Sequence, residues 1–199
     1  GRLAGVPSVF VRSIGCNLNS APRPRRKGPT DPTGKPQTDT WDAGIFEATI
    51  LKQHTFFMKR EIGWEDIERD DSSVVTVGTF DGVHRGHQAI LDYLLRRAEQ
   101  RAGTSTLISF DPHPRSVVHD QKVPLLTTVE ERAELLEAYG LDRFVVVPFT
   151  SAFSSLDARE YVEQVLVEGV GLSEITVGYD HRFGKGREGD VDLLRSMGQ

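Results

Sequence analysis

The sequence predicts an α/β protein with a doubly wound, mostly parallel sheet. Three observations carry this expectation. Short apolar runs at residues 74–77, 104–110, 144–147 and 175–177 show little polar alternation. Runs of that kind belong to strands covered on both faces. Segments of helical length separate them, so strands and helices alternate along the chain. At the first strand-to-helix junction lies Gly78-Thr79-Phe80-Asp81-Gly82-Val83-His84-Arg85-Gly86-His87, a glycine-bearing turn with two histidines.

The elements follow in order. Residues 74–77 read as a buried strand. Residues 87–101 read as a helix with Ile90, Tyr93, Leu94 and Ala98 on one face and Gly103 beyond its end. Residues 104–110 form a second strand. Thr127 or Thr128 caps a helix through Tyr139, Glu130 or Glu131 completes a capping box, and Gly140 follows. Residues 144–147 are a third strand, and residues 158–167 a helix ended by Gly169. Residues 175–177 are a fourth strand, and residues 191–197 begin a further helix. No internal repeat is evident.

Residues 1–57 differ from the rest. The stretch 20–36 is dense in proline, glycine and charge, and buries too little apolar area to offset chain entropy. The expectation is a disordered or non-native extension, with Met58 as the native start and 58–199 as the folded domain. The last helix reaches the end of the chain without a closing strand. The sheet is therefore expected to be incomplete at its C-terminal side, with an exposed edge prone to association.

Composition narrows the classes. The chain has 199 residues, 38% of them hydrophobic, and a net charge of -5. No global basic field draws it to nucleic acid or an anionic membrane. Its single cysteine, Cys16, excludes an intrachain disulfide and a cysteine-based metal cage. No apolar run approaches the roughly 18 residues of a membrane span, and no secretory core opens the chain. A cytoplasmic protein without nucleic-acid or membrane partners is expected. Nothing in the sequence favours one oligomeric state.

The chemistry centres on residues 78–87. In parallel sheets ligands bind beyond the strand C-termini, near a topological switch point. Gly78 permits close backbone approach, Gly82 a positive φ, and Gly86 lets an anion near the helix N-terminus. His84 and His87 lie three apart, on one face of a first turn, where imidazoles can donate to phosphate oxygens. The alternative is half of a metal site with Asp81. Zincin spacing is absent, and no metal ligand is assigned.

The segment 76–87 resembles the nucleotide-binding motif of bacterial FAD synthetases, the bifunctional riboflavin kinase/FMN adenylyltransferases. Its His-x-Gly-His core is shared with a wider nucleotidyltransferase superfamily that includes class I aminoacyl-tRNA synthetases. The longer phrase with Phe80-Asp81-Gly82 is more restrictive. Ser109-Phe110-Asp111-Pro112-His113-Pro114-Arg115 is similar to the family's segment after the second strand, which lines the flavin site. Residues 176–190 are similar to its Gly-rich loop. His181 stands where the family usually has Phe, which bears on the loop's packing and suggests a pH response there.

The resemblance implies a Rossmann-like nucleotidyltransferase fold and a reaction of ATP with FMN, giving FAD and pyrophosphate, with Mg²⁺ on the phosphates. It implies ATP binding by Gly78, Thr79, Phe80, Asp81, Gly82, His84, Gly86 and His87, with His84 and His87 catalytic. It implies FMN binding by Phe110, Pro112, His113, Asp180 and Phe183. On the residues alone, Phe110 is equally readable as ordinary core, and residues 184–187 as a solvated loop. A second phosphate segment and a riboflavin kinase domain, both part of the family pattern, lie outside these residues. Weak or no adenylyl transfer, and no kinase activity, is expected of this chain alone. Another adenylyl- or cytidylyltransferase, or a non-catalytic nucleotide- or flavin-binding fragment, is the competing reading.

Overall fold

The computed structural model describes the backbone of residues 10–14 together with residues 57–65 and 67–198. Its strands are β1 (Phe10–Ile14), β2 (Lys59–Ile62), β3 (Ser73–Val77), β4 (Ser105–Asp111), β5 (Arg143–Pro148) and β6 (Leu172–Gly178). Its helices are α1 (Arg85–Arg101), α2 (Pro114–Val118), α3 (Val129–Tyr139), α4 (Ser151–Ser154), α5 (Ala158–Glu160) and α6 (Val191–Met197). A π-helical stretch, Tyr161–Val170, continues α5.

The strands form one sheet in the order β1-β6-β3-β4-β5-β2, and every pairing is parallel. The chain leaves β3 toward β4 on one side, whereas β6 lies on the other. The switch point therefore falls between the C-terminal ends of β3 and β6, the crevice that α/β sheets use for ligands.

Strand periodicity explains the two cores. Val74, Leu107, Phe144 and Val146 point to one face, where Leu91, Leu94 and Ala98 of α1 and Ala133 and Leu136 of α3 cover them. Val75, Val77, Ile108, Val145 and Val147 point to the other, under Tyr161, Val165, Leu166 and Leu194. Adjacent residues thus serve opposite cores, which is why these strands read as continuous apolar runs. On α1 the buried stripe runs through Leu91, Leu94 and Ala98, while Tyr93 is only half-buried.

Thr128, of the two candidate threonines, caps α3. Its side chain accepts from the Glu131 N–H, the Glu131 carboxylate accepts in return from the Thr128 N–H, and Gly140 closes the helix at φ 93°. The stretch after α5 runs past Gly169 and stops at Gly171, whose φ is 83°. Gly169 instead admits the Trp64 carbonyl, which an added Cβ would meet at 2.9 Å.

Two strands lie where none was predicted. The four residues of β2 lack an apolar run, but they pair with β5, and Glu61 reaches the buried Arg143 at 2.5 Å. Strand β1 sits inside the segment expected to be disordered or non-native, and its backbone pairs along the outer edge of β6. That edge, expected to be exposed, is thereby occupied. An unpaired edge presents a row of N–H and C=O groups that a short β-prone run can satisfy wherever it lies in sequence. The remaining residues of 1–56 lie outside the described residues.

Candidate functional site

The loop after β3 is held by contacts from three directions. The Gly78 N–H donates to the Ile108 carbonyl at 3.0 Å, continuing the sheet ladder. The Ser109 hydroxyl donates to the Thr79 carbonyl at 3.2 Å. The Asp81 carboxylate accepts from the Leu126 N–H at 2.9 Å, and from the Thr127 N–H and hydroxyl, both at 2.9 Å. Burial alone would raise the Asp81 carboxyl, but these hydrogen bonds outweigh it and hold it below the ordinary range. Asp81 is thus a strut between the loop and the start of α3.

The backbone between the strut and the helix is tightly wound. Phe80, Gly82 and Val83 have φ of 50°, 66° and 40°. Left-handed geometry is costly for a β-branched residue such as Val83, and such strain concentrates at functional loops. It delivers His84 to the N-cap of α1, where its Nδ1 accepts from the His87 N–H at 3.3 Å.

His84 and His87 stack with ring centroids 3.6 Å apart, and Phe80 stacks on the other side of His87 at 4.6 Å. Burial, reinforced by the charge of His84, pushes His87 down to about 4. His87 is therefore neutral at pH 7, and its Nδ1 is buried without a hydrogen-bond partner. Gly86 lies under the His84 ring, which an added Cβ would meet at 3.2 Å. The amino end of the 17-residue α1 and its dipole complete an anion-receptive corner.

The strand before this loop opens onto an aromatic cavity. Val77, the last residue of β3, lines a space of about 620 Å³ together with Phe110, Phe149, Phe153, Tyr161, His181 and Phe183. The phenyl and phenol rings meet edge-on or tilted, Phe110 to Phe149 at 5.5 Å and Tyr161 to Phe183 at 5.6 Å, and the His181 ring stacks on Phe183 at 5.8 Å. Such walls suit a flat heteroaromatic ring. Arg115, Arg182, Lys185 and Arg187 also line it, adding positive charge. Burial takes His181 down to about 4, so its titration falls well below neutral pH.

The predicted flavin residues divide. Phe110 and Phe183 line the aromatic cavity. Pro112 and His113 instead line a neighbouring one of about 590 Å³, with Asp111, Ser116 and residues 120–125. His113 caps α2, its Nδ1 accepting from the Arg115 N–H at 3.1 Å. Asp180 is exposed in the turn after β6 and lines neither cavity. Phe149, Phe153, Tyr161 and Thr127 were not foreseen. Phe149 and Phe153 follow an apolar strand, a signal that reads equally as core.

Among the described residues no group of three or more His, Cys, Asp or Glu could hold a metal ion. Asp81, the one carboxylate offered as a partner for the histidines, is taken up by the 126–127 backbone. Among the described residues no helix is long and apolar enough to cross a membrane.

A parallel α/β sheet with a histidine-bearing loop at its switch point is that of a Rossmann-like nucleotidyltransferase fold. A solved structure described as a macrolide-efflux protein from Streptococcus pneumoniae superimposes with a TM-score of 0.63. It covers 71% of this chain and 55% of its own at 22% identity, a likeness of fold alone. The chain belongs to the FAD synthetase family, whose profile matches residues 66–199. It is 39% identical to the bifunctional riboflavin kinase/FMN adenylyltransferase of Pseudomonas fluorescens, over 63% of this chain and 40% of the relative. Its likeness to the protein of the same description from Escherichia coli K12 is 36%, over 64% and 41%. For that of Listeria monocytogenes it is 36%, over 66% and 41%. The chain thus spans about two fifths of the length of these curated relatives.

Proposed function

We propose that this chain carries the FMN adenylyltransferase site, joining ATP and FMN to give FAD and pyrophosphate. The observation that carries this reading is the continuity of two subsites. Val77 lines the aromatic cavity, and the next residue, Gly78, begins the histidine loop. A flat ring in the cavity and a polyphosphate at the N-terminus of α1 would meet at the switch point.

In the reaction an FMN phosphate oxygen bonds to the α-phosphorus of ATP, and the bond from that phosphorus to the bridging oxygen breaks. Pyrophosphate leaves with the electron pair. No covalent enzyme intermediate is needed, so the protein's task is alignment and charge stabilisation. His84 and the N–H groups of the first turn hold the α/β-phosphates. Neutral His87 stacks beneath His84 and fixes its ring. Gly78, Thr79, Phe80, Asp81 and Gly82 shape the ATP pocket, with Gly86 beside them. Phe110 and Phe183 wall the flavin, while Pro112, His113 and Asp180 serve the neighbouring margin. The described donor set does not fit a protein-held Mg²⁺, so the ion enters as part of MgATP. The setting in this reading is cytoplasmic.

The test is incubation of the chain with FMN and ATP labelled at the α-phosphate, with FAD resolved by chromatography. Slow, FMN-dependent transfer of label into FAD is expected. Preference for nicotinamide mononucleotide or phosphopantetheine as acceptor would move the assignment to another nucleotidyltransferase. Calorimetric binding of FMN and ATP without turnover, in a chain extended to the length of its relatives, would make it a binding module.

A further inference from the structure

Arg132 of α3 is among the most deeply buried side chains in the protein, at 1% exposure. A buried guanidinium ordinarily has a carboxylate against it. Among the described residues none lies within ion-pair distance of this one. Its Nη1 donates to the Ser109 hydroxyl at 2.9 Å and its Nη2 to the Thr127 carbonyl at 3.4 Å, while Nε has no partner. Both partners belong to the histidine loop's support. Ser109 holds the Thr79 carbonyl, and Thr127 holds Asp81 and the Gly82 N–H.

The charges around Arg132 are those of the site. Asp81 and Asp111 lie within its electrostatic reach, as do His87 and His113. This resolves a conflict in the loop. Asp81 is needed as a strut, yet it brings a full negative charge into a corner meant for phosphate. His87, neutral at pH 7, does not offset it. The guanidinium, which stays protonated even when buried, does.

We propose that Arg132 is a positioning residue of the phosphate loop, a fixed cation that cancels the field of Asp81 and lets the corner accept a polyphosphate. It acts through that field and through Ser109, without touching the ligand. The inference rests on the reading of residues 78–87 as a phosphate site.

Calorimetry with inorganic tripolyphosphate tests it on the 199-residue chain, with folding followed by circular dichroism. Arg132→Met should bind roughly 10- to 100-fold more weakly than wild type, the scale of one unit charge at intermediate effective dielectric. Arg132→Lys should stay within about threefold, because the charge remains. Asp81→Asn should bind more tightly than wild type, and Arg132→Met with Asp81→Asn should recover most of the loss. Equal binding by wild type and Arg132→Met overturns the proposal. So does Arg132→Lys as weak as Arg132→Met, which would make the role one of fork geometry. Should Arg132→Met fail to fold, Asp81→Asn decides: no gain in affinity sinks the idea. Absence of tripolyphosphate binding by the wild type would instead overturn the phosphate reading of the loop itself.

Discussion

His84 and His87 share a stack with Phe80 but sit in different surroundings. His84 is exposed at the N-cap, whereas His87 is half-buried and neutral at pH 7. Replacing His84 with Ala should lower FAD formation by about 10²–10³, by analogy with loss of one oxyanion donor. A steady-state assay with ATP and FMN checks it, and unchanged turnover would remove His84 from the mechanism. Protonation also links the site to stability. His87 and His181 both fall from 6.5 to about 4 on folding, mainly through burial. Between those pH values the unfolded chain binds more protons, so stability rises with pH and is lost as pH falls. Each histidine should contribute roughly 1–3 kcal/mol of acid sensitivity across that window. Scanning calorimetry from pH 7 to pH 4 should show a falling Tm, and His87→Gln with His181→Phe should flatten the curve. An unflattened curve would assign the acid sensitivity to other groups.

At the scale of elements, local chemistry places the helices and long-range contact places the loops. The Thr128–Glu131 capping box sets the start of α3, the helix that carries Arg132. Thr128→Ala should cost about 1 kcal/mol of stability, read by urea denaturation. It should leave the aromatic cavity untouched, because α3 covers the opposite face. The Gly-rich loop after β6 depends on Gly184, at φ 72°, where an added Cβ would meet the Ala158 backbone at 2.6 Å. Gly184→Ala must therefore push the loop off α5 and displace Phe183. FMN affinity should drop by roughly tenfold or more, equivalent to about 1.4 kcal/mol. Fluorescence titration with FMN measures it, and wild-type affinity would show that the loop does not shape the flavin subsite.

For the whole molecule, the central strands β6, β3, β4 and β5 build both cores and the switch point, and β1 and β2 close the two edges. Starting the chain at Met58 should uncover the outer edge of β6. A lower Tm and concentration-dependent association are expected, measured by calorimetry and sedimentation velocity. A monomer as stable as the 199-residue chain would show that β1 contributes nothing. The edges also mark where the sequence was hard to read. Residues 59–61 are charged, and 10–14 are interrupted by Arg12 and Ser13 and stand far from their partner strand, so neither carries the apolar run that marks a buried strand. Their pairing exists because a neighbouring edge offers unsatisfied backbone groups.

The sequence by itself determined the strand–helix alternation, the doubly covered sheet and the histidine loop at a strand C-terminus. These depend on periodicity, capping and glycine placement, all written within a few residues. Only the tertiary structure decided what lies next to the loop. It turned Asp81 from a candidate metal partner into a strut, separated Pro112 and His113 from the aromatic cavity, and drew Phe149, Phe153 and Tyr161 into its wall. It also buried Arg132 beneath the loop against Ser109 and Thr127, with no carboxylate at ion-pair distance among the described residues. Distant segments meet only when the sheet order is set, and the surroundings of the histidine loop depend on that meeting.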